Sequence, residues 1–567
     1  MVDLILTGGK VVTLDPESRI AEAVAVSDGK IRAVGRDDEI ATLADANAQR
    51  IDLAGRTVIP GLVDGHAHMD REGLKRRLPS LIGARSIADV QRRIEGLARD
   101  AAPGEWIVTM PIGTPPEYRD APDCLAEGRF PDRHELDEAA PDNPVYIRAI
   151  WGHWRNTLPL VSVANSRALE LAGITRDTEP PVAGIEIEKD AAGEPTGRLI
   201  EEIYKPVVEH TLMAAAPGFD AQDRVAGLRR SMAIYNSYGT TSVFEGHGIA
   251  GEVAAAYRTL REAGPLPVRA HLVFSPSWKA TDGEEIRRLL QSWGAWLAGR
   301  GLGDEYLRMG ALYTESEYTP ENLIRTRTAP YTSWAGFNYD ACLPEEAMVE
   351  MMVEAARCDI RIASFTPNIL DLYERVNEVV PIADKRWVIE HIGIYDADEI
   401  KRIRNLGLVL TAYTNRYIYW DGGLLATELG AENGGRIVPL RALREAGVPV
   451  SLATDNVPPT LFHSIWNVVA RKPVGSAEVI GPEQCVDRET ALRAATVAGA
   501  HLTFEEDVKG TIEPGKMADL ALLSDDPLTC AEEALKDIVA EVTIVGGRVV
   551  YDRAQDGDPT GYESEAS

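Results

Sequence analysis

The chain has 567 residues, 88 Asp and Glu against 59 Lys and Arg, and a formal net charge of −29. That excess of acid argues against a protein that grips nucleic acid or anionic lipid through clustered Lys and Arg, and its plainest meaning is solubility. Hydrophobic residues make up 45% of the chain, enough for a large core and more than one domain. The cysteines (Cys124, Cys342, Cys358, Cys485, Cys530) are scattered, without metal-type spacing, which suits reduced thiols and a cytoplasmic protein. The N-terminus shows no basic-then-apolar leader, and no apolar run reaches the length of a membrane span.

Residues 2–14 and 22–35 read as short strands, with Asp-Pro and Asp-Gly turns between strand segments. An apolar, β-branched strand follows at 58–64, then a long stretch over 70–230. That stretch carries strands near 105–110 and 144–150 and helices near 86–100 and 221–238. Further strands near 240–244, 268–274, 307–313, 359–364, 386–390, 407–412 and 449–454 alternate with helical patterns. With 58–64 they make eight, the number of a TIM (β/α)8 barrel. Residues 517–524 and 540–552 are strands again, the second pair turning at Gly546-Gly547. The fold expected is α/β. A small β-sandwich is built from 1–57 and 508–567, and the barrel spans 58–507. The insertion at about 70–230 lies over the barrel mouth and shapes the substrate pocket.

Barrel chemistry sits where strands end. The first strand runs into His66-Ala-His68, and residues two apart in a strand project to the same side. The sixth ends at Glu390-His391 and the eighth at Thr454-Asp455. Alone, each has a plain explanation: a loop pair, a buried histidine, or a helix cap at Asp455. Together, three imidazoles and a carboxylate at one rim match the ligand chemistry of zinc first, and of iron, cobalt or manganese after it. Glu245 and His247 share parity at the end of the second strand, and Glu315 shares parity with Tyr313 on the fourth. These three are candidates for an added ligand, against the alternative that they bond only to loops and water. Trp151, Trp154, Trp278 and Trp334, and the cluster Tyr413, Tyr417, Tyr419 and Trp420, fall near loops or strand ends. Packing is their commoner use, with a pocket lining the alternative.

Pro60-Gly-Leu-Val-Asp-Gly-His-Ala-His68 resembles the first-strand signature of the amidohydrolase superfamily. Asp3–Asp15 resembles the opening of its small β domain, and Gly510–Leu520 the return into it. Val163–Leu169 and Gly193–Glu201 are similar to its YtcJ-like, or amidohydrolase 3, branch. The resemblance implies that His66, His68 and His391 are metal ligands and that Asp455 both holds the metal and shuttles the proton. It also implies that His153, in Trp151-Gly-His-Trp154, reaches the substrate carbonyl or oxyanion. It implies a dimer or larger assembly. Relatives often carry a lysine ending strand four and a His-Ala-Ile-Gly-Asp motif on strand five. Here Tyr313 stands for the lysine and Ala363 or Ser364 for the histidine, so a mononuclear site is expected.

The expected function is metal-dependent hydrolysis of a non-peptide carbon–nitrogen bond in a small molecule: an amide, formamide, carbamate or cyclic amide. Deamination of an aminated ring ranks lower, because the His-x-x-Glu shuttle of deaminase relatives is missing after strand five. A ring-opening carbon–carbon hydrolase is more distant. A degenerate barrel that binds a metabolite without turning it over is the alternative of another class.

Overall fold

The computed structural model describes residues 2–44, 47–115, 117–150, 157–204, 207–278, 282–316, 334, 336 and 341–561. The chain divides into two compact units. One comprises Met1–Met69, Arg229–Glu317 and Ala341–Pro559, the other Asp70–Leu228, Tyr318–Asp340 and Thr560–Ser567.

The first unit contains the eight-stranded parallel barrel. Its strands in order are Leu62–Ala67, Thr240–Ile249, Arg269–Phe274, Leu307–Tyr313, Ile362–Ser364, Val388–Ile389, Val409–Tyr413 and Val450–Ala453. Each pairs in parallel with the next. The first and last strands meet where the Asp455 N–H donates to the His66 carbonyl at 2.9 Å. Phe244, Ala311, Tyr313, Ala363, Val388 and Val409 pack together as one buried apolar cluster drawn from successive strands. Outside, helices turn one apolar stripe inward. In Glu345–Arg357 the buried Met348, Met351, Met352 and Ala355 recur at helical spacing.

All eight strands expected from the sequence are present, with shifted boundaries: the second runs on to Ile249 rather than 244, the fifth begins at Ile362 rather than 359, and the first is displaced as a whole. Val58–Pro60, read as the start of the first barrel strand, belongs with Thr57 to a different sheet. It runs parallel to Lys10–Val12 and antiparallel to Leu520–Leu523. The barrel strand begins at Leu62, four residues after the expected start at 58. Gly61 is the joint, because a Cβ there would lie 2.2 Å from Thr241 Oγ1.

Both chain ends build the small β-sandwich. One sheet orders Lys30–Gly35, Ala23–Ser27, Leu4–Thr7 and Gln49–Asp52. The other orders Arg548–Asp552, Ala540–Val545, Leu520–Leu523, Thr57–Pro60, Lys10–Val12 and Ile20–Ala21. Alternate residues of the two sheets, among them Leu4, Leu6, Val24, Val26, Leu520 and Leu522, meet in one core.

The second unit has a five-stranded sheet in the order Ile185–Lys189, Pro195–Glu201, Leu160–Ala164, Val145–Ile147, Ile107–Thr109. Pro195–Glu201 alternates buried and half-buried residues along its length, the period of a strand with one covered face. Helix Ile87–Asp100 is capped by Ser86, whose hydroxyl accepts the Asp89 N–H, and it buries Ile87, Val90 and Ile94. Among the described residues no helix is long and apolar enough to cross a membrane.

Two histidines other than the candidate ligands, His271 and His463, set an acid limit on the fold. His271, on the third strand, is held down to about 3 by burial and then by Arg361, and Gly310 makes room for its ring. Burial likewise holds His463 down to about 4. Unfolded, both would take a proton near pH 6.5. The unfolded chain therefore binds the extra protons, and stability falls as pH drops below that value. The loss is about 1.4 kcal/mol per pH unit per group until the folded values are reached. His271→Leu is expected to lose about 1.4 kcal/mol per unit less than wild type between pH 6.5 and 4.5, read by urea unfolding. Parallel pH curves would refute this.

Candidate metal centre

Asp64 fastens the strand ends that carry the candidate ligands. Its Oδ1 accepts the backbone N–H of His66 and of Thr454, both at 3.1 Å, and its Oδ2 accepts the Thr454 hydroxyl at 2.5 Å. Burial pushes this carboxyl up to about 6, against the three hydrogen bonds. Gly65 permits the close approach, since a Cβ there would lie 2.6 Å from Ser451 Oγ.

Four of the expected side chains converge. His66 Nε2 lies 3.0 Å from His391 Nε2, and His68 Nε2 lies 2.8 Å from Asp455 Oδ1. Asp455 completes the group at 3.7 Å from His66 Nε2 and 3.9 Å from His391 Nε2. His66 is fully buried and His68 4% exposed, so nearly all of this polar chemistry lies inside the barrel end. Burial holds His391 down to about 4, with Asp455 pulling the other way, so the ring is neutral and keeps a lone pair to donate.

The backbone is bent to make this arrangement. His247, His391, Asp455 and Asn456 have φ of 52°, 57°, 52° and 50°, a left-handed conformation uncommon for side-chain-bearing residues. Such conformations persist where the surrounding structure over-determines them, which is often at functional sites. Asp455 is not a helix cap. The following helix, Leu461–Ala470, is capped by Thr460.

The three candidates for an added ligand separate. His247 joins the cluster: a ring nitrogen lies within 4.8 Å of those of His66 and His68. Glu245 is engaged elsewhere, its Oε2 accepting the Met69 N–H at 3.2 Å and its Oε1 the Tyr257 hydroxyl at 2.9 Å. That carboxylate pins the backbone just beyond His68. Glu315 forms an isolated parallel bridge with Cys342, and its carbonyl accepts the Leu343 N–H. Neither glutamate belongs to a group of ligand atoms found within 4.8 Å of one another among the described residues. His153, Trp151 and Trp154 lie outside the described residues.

The aromatic residues divide as well. Trp278 packs on Trp293, and Trp334 on Phe219 and the Arg148 guanidinium. Tyr413 is different, its ring centroid 5.3 Å from that of His391. Tyr417, Tyr419 and Trp420 lie on a π-helical turn, Asn415–Trp420, straight after the seventh strand. Single π turns of this kind recur at functional sites.

Two residues near the cluster escaped the sequence reading. Asp64 sits inside the first-strand signature, yet its hydrogen bonds could not be read there. Glu390 precedes His391, is fully buried, and lies 3.8 Å from His66 Nδ1 and 4.0 Å from His247 Nε2. Burial pushes it up to about 8. Its proximity to His391 in sequence was the available signal.

The sequence profile of the amidohydrolase family matches residues 49–551. The chain belongs to the amidohydrolase family. It is 28% identical to N-substituted formamide deformylase of Arthrobacter pascens, over 98% of this chain and 99% of that one. It is 24% identical to the Bacillus subtilis (strain 168) protein named as amidohydrolase YtcJ, over 96% and 99%, which places it in the YtcJ-like branch. In fold it is similar to an uncharacterized metal-dependent hydrolase of Pyrococcus horikoshii OT3. That likeness has a TM-score of 0.65 and 22% identity, and covers 94% of this chain and 99% of the other. As an amidohydrolase, the chain is a hydrolase acting on carbon–nitrogen bonds other than peptide bonds.

Proposed function

We propose that this amidohydrolase is a mononuclear metal enzyme that cleaves the C–N bond of a small N-substituted formamide or related amide. The observation that carries the reading is the grouping of His66, His391 and Asp455 within 4.8 Å of one another, with His68 Nε2 2.8 Å from Asp455 Oδ1. Neighbouring donors about 2.1 Å from one ion stand about 3.0–3.4 Å apart, the wider figure for four-coordination and the narrower when five or six donors leave room for water. His66 with His391 at 3.0 Å, His68 with Asp455 at 2.8 Å, and Asp455 with His66 and His391 at 3.7 and 3.9 Å lie near that spacing. A buried set of neutral imidazoles and one carboxylate suits zinc, with iron, cobalt or manganese compatible with the same donors. The formamide class is favoured by the relative that matches this chain along nearly its whole length. We assign the β-sandwich to 1–60 with 508–567, three residues beyond the expected boundary at 57 because Val58–Pro60 pair within its sheet, and the barrel with its insertion at about 70–230 to 61–507.

These residues would hold a divalent ion, whose chemistry there would be to polarise a carbonyl and to make water a nucleophile near neutral pH. Asp455 then does the proton work. It takes the proton that water loses as the new C–O bond forms, and delivers it to the nitrogen as the C–N bond breaks. Asp64 and Glu245 position the segment that bears His66 and His68 through their backbone hydrogen bonds. His153 is assigned to the developing oxyanion, where a positioned donor stabilises charge.

The test is metal analysis of the purified protein together with an amide and formamide screen, with and without chelator. About one equivalent of ion is expected, with activity lost on chelation and regained on adding metal. His66→Ala should retain less than a tenth of wild-type occupancy. Undiminished occupancy in that variant, or chelator-resistant hydrolysis, would sink the reading.

A further inference from the structure

His247 belongs to the second barrel strand, and three independent features direct its imidazole at the metal cluster. Its ring centroid lies 4.9, 5.4 and 5.0 Å from those of His66, His68 and His391. Its ring is also held in one orientation by aromatic neighbours. Phe365 stacks on it at 4.7 Å with planes 5° apart, and Tyr313 lies at 5.4 Å with planes 20° apart. These two residues come from just past the fifth strand and from the end of the fourth, where this chain offers no imidazole or amine.

The backbone around His247 is shaped to the same end. At Gly246 a Cβ would lie 2.2 Å from His66 Cε1, so only glycine lets the His66 ring lie against this strand. Gly248 has φ +71°, and a Cβ there would come within 3.0 Å of Tyr313 Cβ and Ser275 Cβ. Between these glycines His247 itself adopts φ 52°. Left-handed backbone on a residue with a side chain is held only against a cost. Here it places an imidazole beside two others.

We infer that His247 is a direct ligand of the ion, a donor from the second strand supplied where the fourth and fifth strands present Tyr313 and Phe365. This rests on the metal reading above, adding a fourth imidazole to the set. The aromatic stacking fixes ring orientation, as outer-shell groups do for ligating histidines.

Cobalt and zinc loading of the full chain tests it. Co2+ is titrated into metal-free protein and followed by its visible d–d absorption. The zinc-loaded form is then examined by X-ray absorption to count imidazoles. The informative variants are His247→Asn, since Asn tolerates left-handed backbone, and His247→Gly, which relieves φ altogether. Each variant is expected to show one imidazole fewer than wild type and a shifted cobalt spectrum. The ion should bind more weakly by more than the roughly 10–100-fold that loss of an outer-shell partner costs. Free imidazole added to His247→Gly should restore the wild-type spectrum. If either folded variant keeps the wild-type imidazole count and spectrum, His247 is not a ligand, whatever its affinity. A wild-type protein that binds no ion would instead overturn the metal reading itself, and His66→Ala run alongside separates the two failures.

Discussion

Asp455→Asn is expected to lower kcat by about 10²–10⁴-fold, the range that a positioned proton shuttle contributes. Asparagine is nearly isosteric, keeps one oxygen to donate, and tolerates the φ of 52° found at this position. It cannot take a proton from water and pass it on. Metal content should therefore fall much less than turnover, and KM should move little, because the lost interaction is made in the transition state. Steady-state kinetics on a hydrolysed amide, with metal analysis of the same preparation, checks this. A turnover number within threefold of wild type would remove Asp455 from proton transfer.

Asp519→Ala is expected to cost about 3–5 kcal/mol of stability, the penalty for stranding one member of a buried ion pair. Arg269, on the third barrel strand, is 3% exposed and meets Asp519 through two bonds, Nε to Oδ2 at 2.7 Å and Nη2 to Oδ1 at 3.0 Å. Asp519 Oδ1 also accepts the Gly546 N–H at 2.8 Å, which ties the barrel to the turn of the last sandwich hairpin. Burial by itself would lower the Arg269 pKa. The Asp519 carboxylate outweighs it and the net shift is upward. Removing the carboxylate leaves Nε and Nη2 of a buried guanidinium, and the Gly546 N–H, without this acceptor, while Nη1 keeps the Glu305 carbonyl. Urea unfolding at unchanged m-value reads the loss. The double variant Arg269→Met with Asp519→Leu should recover most of it, because it removes both desolvation penalties at once. A double variant no better than Asp519→Ala would show that the pair is not the cause.

The barrel was legible because each strand is a short apolar run followed by a helix-period stretch, and that alternation survives in a single sequence. The boundary at Gly61 was not. Val58–Val63 is one apolar run broken only by Gly61, and hydrophobicity does not say which sheet each half joins. His66, His68, His391 and Asp455 could be named from strand ends, and so could the shared parity of Glu245 and His247. The different fates of those last two could not. Glu245 is bonded by Tyr257 and by the Met69 backbone, whereas His247 stacks on Phe365 and Tyr313.

The sequence alone determined the kind of protein: the eight strands in order, the sandwich formed from both chain ends, and the donor residues waiting at the rim. These are written in local patterns of polarity and in short motifs. Only the tertiary structure decided which donors face one another, which carboxylates hold backbone instead, and where glycine must stand to admit a ring. His66 and His391 meet across 325 residues of chain. Which groups come within hydrogen-bonding or coordinating distance depends on long-range packing, and no local pattern encodes a distance of that kind.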